Sequence, residues 1–191
     1  MTSMLRKLFL FLLALAALLS PLQAAMAADG QPPVSDSDVQ VQRSGGSFTV
    51  DATMYTPVPL ALAWAVLTDF EHMGSFVPNL SSSQVVERSD ATLKVAQKGV
   101  ARFGFFSANF ESIREISLSP QREIRAHNVG GNVKRMESVM QLQAEGAGTR
   151  LHYHAEVLPG FWFPPLIGPA LVRHETAEQF SAMLQEMLRR Q

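Results

Sequence analysis

The chain of 191 residues contains no cysteine, which excludes a disulfide scaffold, a thiolate metal site and a lipid-modified cysteine. It also lacks any excess of positive charge. With 16 basic residues against 17 acidic ones, scattered along the sequence, there is no stripe that could displace counterions from nucleic acid. Beyond the N-terminus no run approaches the ~20 apolar residues needed to span a bilayer as a helix. Nucleophile motifs, phosphate-binding glycine loops and paired catalytic carboxylates are missing too, and nothing calls for a cofactor or a metal. Stability must therefore come from packing, in a chain that is 47% hydrophobic.

The N-terminus reads as a targeting segment. Arg6 and Lys7 precede an uncharged, Leu- and Ala-rich run over 8–19; Pro21 breaks any helix, and Ala25-Met26-Ala27 is a small-x-small cleavage pattern. At ~1.5 Å per residue, about a dozen helical residues cover ~18 Å, short of the ~30 Å hydrocarbon layer. Residues 1–27 are thus expected to be a secretory signal, and removing them takes the net charge from −1 to −3. The expected product is an exported protein, periplasmic or extracellular, and soluble once cleaved. Residues 28–46 are rich in Gly, Pro, Ser, Asp and Gln, and are read as a disordered leader, most clearly as far as Asp38. A single domain is expected over 47–191.

Within that domain Phe48, Val50, Ala52 and Met54 alternate with polar residues, the period of a half-buried strand. Pro57 and Pro59 end it, and Leu60, Ala63, Trp64 and Leu67 then recur at helical spacing. A second short helix or turn is expected over 71–76. Six strand-like segments follow, near 83–87, 92–102, 106–117, 123–129, 134–144 and 149–157, separated by turn residues such as Gly130-Gly131 and Gly146-Ala147-Gly148. Ile167, Leu171, His174, Ala177, Phe180, Leu184 and Leu188 mark one stripe of a long terminal helix. The order implies an α+β fold in which a curled antiparallel sheet of about seven strands grips that helix, with two short helices after the first strand.

Thr68-Asp69-Phe70-Glu71-His72-Met73 runs into Phe76-Val77-Pro78-Asn79-Leu80 and is followed by Ser83-Gln84-Val85-Val86-Glu87-Arg88; further on come Gln97-Lys98-Gly99, Phe103-Gly104-Phe105-Phe106, Gly130-Gly131 before Lys134-Arg135-Met136-Glu137, and Pro159-Gly160 with Pro164-Pro165-Leu166. Together these segments resemble the coenzyme Q-binding and polyketide cyclase/dehydrase branch of the START-like (SRPBCC) superfamily. The resemblance spans nearly all of 48–189. It implies a helix-grip fold with an elongated apolar tunnel between sheet and terminal helix. The export signal sets this chain apart from the quinone-binding members, which usually work inside the cell or mitochondrion.

Residues expected to contact a ligand in such a tunnel are Phe76, Leu93, Val95, Gln97 and Phe103, together with Met140, Tyr153, Phe161, Trp162 and His174. Gln97 shares a strand face with Leu93 and Val95, and Tyr153 belongs to the apolar set Leu151, Tyr153, Ala155 and Val157. A buried amide or phenol left unpaired costs about 1–3 kcal/mol, so each either orients a ligand or bonds within the protein. His174 lies on the helical stripe, either as an acid–base group at a cavity mouth or as a histidine satisfied by a polar neighbour. His152 and His154 share the opposite strand face with Arg150 and Glu156, which makes a solvated pair the better reading than a metal site. Phe161-Trp162-Phe163 is an apolar loop open to three roles: cavity rim, transient membrane contact, or packing under the helix.

The leading expectation is a binder or carrier of a hydrophobic small molecule of the lipid, isoprenoid quinone or polyketide-like class. One alternative is an extracytoplasmic cyclase or dehydratase using Tyr153 and His174 as proton-transfer groups, which requires both to face one cavity. Another is an envelope partner-binding protein with a vestigial cavity.

Overall fold

A computed structural model describes residues 33–90, 92–104, 106–160 and 167–191, without the side chains of Phe103 and Phe106. Residues 1–27, expected to be a secretory signal, and residues 161–166, with Phe161 and Trp162, lie outside the described residues. Strand β2 (Ser47–Thr56) follows the alternation of its sequence, with Phe48, Val50, Ala52, Met54 and Thr56 all buried. Helix α1 (Leu60–Leu67) starts behind Pro59, whose carbonyl accepts from Leu62 and Ala63. The short helix α2 (Met73–Phe76) follows. Five further strands form a meander: β3 (Leu80–Arg88), β4 (Thr92–Phe103), β5 (Phe106–Ser119), β6 (Glu123–Gly131) and β7 (Arg135–Glu145). Strand β8 (Gly148–Leu158) completes the sheet, and α3 (Gly168–Arg189) ends the chain with Pro169 in its first turn.

Among the described residues the sheet holds eight antiparallel strands rather than about seven, in the order β1 (Val39–Ser44)-β2-β8-β7-β6-β5-β4-β3. Every neighbour is also adjacent in sequence except β2 and β8. Chain between β2 and β3, including α1 and α2, crosses from one side of the sheet to its far edge. The additional strand is β1 (Val39–Ser44), which pairs with β2 from Val39 opposite Ala52 to Ser44 opposite Ser47. This corrects the disordered reading of 28–46 over its described part. Val39 and Val41 alternate with Gln40 and Gln42, a pattern too short and polar to stand out, and it is the hairpin at Gly45 (φ 59°) that fixes it on β2.

Residues before β1 also hold α3 in place. Val34 is 2% exposed, its N–H donates to Ser181 Oγ (3.1 Å), and Ser181 Oγ donates to its carbonyl (2.8 Å). Further along, Arg173 Nε donates to the Val39 carbonyl. The segment therefore crosses the helix as a strap.

Two apolar clusters form the core. One joins β1, β2, β7, β8 and α1 to Ala177, Phe180, Leu184 and Met187 of α3. The other joins Phe70, Met73 and Val77 to Leu93, Val95, Ile116 and Ala126. At the C-terminal end of α3, Arg190 pairs with Asp69 (2.8 Å) and Glu186 (2.6 Å), and its guanidinium lies 5.7 Å from the centre of the Phe76 ring. Among the described residues no helix is long and apolar enough to cross a membrane.

Candidate functional site

Because the sheet curls around α3, the inward side chains of β4 to β8 point at the same helix face. They do not close on it completely. A cavity of about 280 Å³ remains between sheet and helix, near the lower end of the ~300–1,000 Å³ typical of small-molecule sites. Its wall is largely apolar, with Val77, Phe110, Ile124, Met140, Phe180 and Met183 among its members. Two other hollows are of a different kind. One lies outside the helix between β1 and Arg173, and the other lies on the outer sheet face among Arg125, His127, Glu137 and Glu156; most of the residues that line both are polar or charged.

Polar groups on the cavity wall form a connected set. Gln97 Nε2 donates to Ser83 Oγ (3.0 Å), and Gln97 Oε1 accepts from Arg114 Nη2. Arg114 is half-buried and lines the cavity. Burial pulls its pKa below the ordinary arginine value, while Tyr153, which also lines the cavity, acts in the opposite sense. For Tyr153 the largest effect is again burial, which pushes the phenol pKa up; Arg114 and a hydrogen bond with Ser138 offset part of it. Tyr153 also meets Phe180 edge to face, with ring centres 4.8 Å apart.

Glu175 closes the wall near the end of β4. Its carboxylate accepts from Asn79 Nδ2 and from the Arg102 backbone N–H, which ties α3 to the β3 and β4 end of the sheet. Burial raises its pKa, and those two bonds partly offset the rise. The local backbone requires Gly99, because a Cβ there would lie 2.1 Å from the Asn79 carbonyl oxygen and 2.6 Å from the Phe110 ring.

Of the expected ligand contacts, the structure brings Gln97, Met140 and Tyr153 together on the cavity wall. Leu93 and Val95 share the face of Gln97 but belong to the second core cluster, with Phe70 and Met73. Phe76 packs between both clusters, under Arg190. Phe103 lies in β4 with its side chain outside the description. His174 does not join the lining; its Nδ1 is 3.3 Å from Asp36 and its Nε2 3.6 Å from Glu178, at the helix flank. The proton-transfer pair Tyr153 and His174 is therefore not assembled around one cavity.

The outer-face reading of the two strand histidines agrees with their surroundings: His152 faces Thr53 (3.1 Å) and His154 faces Asp51 (2.7 Å). Sequence reasoning missed Ser112, Arg114 and Glu175. A detectable signal existed for Arg114, since Phe110, Ser112, Arg114 and Ile116 fall on one parity of β5. For Glu175 it was the four-residue spacing from Leu171.

The comparisons define the class: the chain belongs to the polyketide cyclase / dehydrase and lipid transport family, whose model matches residues 56–182. No curated protein matches the sequence. Among solved structures it is similar to the Zhui aromatase/cyclase from Streptomyces sp. R1128 (17% identity, 75% of this chain and 95% of that one, TM-score 0.65). It is also similar to a START superfamily protein from Mycobacterium smegmatis (12%, 75% and 99%, 0.65). A STAR-related lipid transfer protein from Xanthomonas axonopodis aligns over 81% of this chain and 99% of its own (11%, 0.64). The fold is START-like, with the sheet and terminal helix placed as the resemblance implied.

Proposed function

We propose that this protein binds or carries one hydrophobic small molecule, of the lipid, quinone or polyketide-like class, between its sheet and terminal helix. The observation that carries this reading is the unfilled, mostly apolar volume of about 280 Å³ beneath α3. An apolar molecule entering it is removed from water at ~25 cal/mol per Å² of its surface, and the few polar groups on the wall fix its orientation. The cyclase or dehydratase reading, which the family also covers, would need a proton-transfer pair other than Tyr153 and His174. We further propose export to the cell envelope, supported by the composition of residues 1–27.

Native mass spectrometry of the purified protein, followed by solvent extraction and a panel of lipids and quinones, tests the binding reading. A bound or readily taken up apolar molecule is expected. A protein that arrives empty and takes up nothing across the panel would overturn it. Processing is checked by N-terminal sequencing of the protein from its producing cell, with a new N-terminus near residue 28 expected.

A further inference from the structure

Arg114 is a built feature of the cavity without a counter-charge. Its guanidinium carries five N–H donors, is held at Nη2 by the neutral amide of Gln97, and has a buried Nε with no partner. Among the described residues it makes no ion pair within the wall: Glu175, the carboxylate of the lining, is engaged by Asn79 and the Arg102 N–H. Tyr153 cannot supply the charge, since burial keeps its phenol protonated and leaves it a donor. A half-buried cation that only supported the fold would be expected beside a carboxylate, because an unpaired buried charge is strongly unfavourable. Here the chain Ser83–Gln97–Arg114 instead holds the cation on the cavity wall with neutral partners alone.

Given the proposal that the cavity is a ligand site, we infer that its ligand is an apolar monocarboxylic acid, whose carboxylate docks on Arg114 beside the Tyr153 hydroxyl. A planar carboxylate matches the guanidinium fork in shape and charge, and one cation neutralises one acid group. A phosphate dianion would leave charge uncompensated in the same cavity. The hydrocarbon body then runs along Ile124, Met140, Phe180 and Met183, where no donor competes with it.

The test compares decanoate, methyl decanoate and decanol as ligands of the full chain stripped of bound molecules. Calorimetric titration at neutral pH is done on the natural sequence, Arg114→Gln and Arg114→Met. The expected result is at least tenfold tighter binding of decanoate than of the ester, collapsing to parity in both variants. Arg114→Met is also expected to melt no lower than the natural protein, since it removes a buried charge that lacks a partner. Equal affinity of the natural protein for acid and ester would overturn the inference while leaving a binding cavity intact, and so would an acid preference that survives in the variants. Failure of all three ligands to bind would overturn the cavity reading together with the inference. The acid-to-ester ratio of the natural protein decides even if neither variant folds.

Discussion

The two ends of α3 meet the same sheet in opposite ways. Toward its C-terminus, Leu184 and Met187 are at most 2% exposed, and Arg190 binds Asp69 and Glu186 over the Phe76 ring, so the grip is shut. Toward its N-terminal half, Leu171, Val172, Glu175 and Thr176 border the cavity, and polar contacts from Glu175 to Asn79 and Arg102 do the fastening. One helix thus anchors at one end and forms the wall of a hollow at the other. Close packing supplies stability where the site is absent, and the site is placed where packing is given up.

The largest expected effect that sharpens this contrast comes from two methionines one turn apart. Met187→Ala, at a fully buried position, should cost about 2–5 kcal/mol in chemical denaturation. Met183→Ala borders existing empty space and should cost roughly half of that or less. Equal costs would mean that both ends are packed alike.

The next effect is acid-dependent. Arg189 first, then Arg190, hold the Glu186 carboxyl down from 4.5 to about 2, outweighing its burial. Because the folded value lies below the unfolded one, this contact contributes fully above about pH 4.5 and is lost as pH falls toward about 2. Glu186→Gln should therefore lower the melting temperature at neutral pH and flatten its decline over that interval. Asp69 behaves in the same sense: burial opposes its ionisation, but His72 and Arg190 outweigh it.

A smaller change tests the strap. Ser181→Ala removes both hydrogen bonds between its hydroxyl and the Val34 backbone and should cost about 1–3 kcal/mol, read by denaturation, with faster hydrogen exchange over 34–39. Smallest of all is His152→Ala on the outer sheet face, expected within about 0.5 kcal/mol of the natural protein and without effect on ligand uptake. A large loss of uptake there would break the distinction between inner and outer faces.

Much of the fold was legible because the strands alternate cleanly. Val50, Ala52 and Met54 face in, and so do Leu151 and Ala155, while His152 and His154 face out. The terminal helix was legible as an element and largely in rotation: Leu171, Ala177, Phe180 and Leu184 of the expected stripe are buried, while at His174 and Leu188 the buried positions are their neighbours Glu175 and Met187. Two buried glutamates, Glu175 and Glu186, disguise the buried side, since burial of charge depends on partners distant in sequence. In β5, Ile113 faces out and Ile116 faces in, so hydrophobicity alone does not set the parity that puts Arg114 inside. Strand β1 was missed for a related reason: its order comes from pairing with β2, not from its own composition.

The most direct measurement is a titration of the stripped protein with a polarity-sensitive fluorescent fatty acid, run beside Ala126→Phe, which grows a ring from β6 into the hollow. One saturable site per chain, abolished in an Ala126→Phe protein that remains folded, is the outcome required of an internal ligand cavity. Undiminished binding by that variant would place the ligand elsewhere and contradict it.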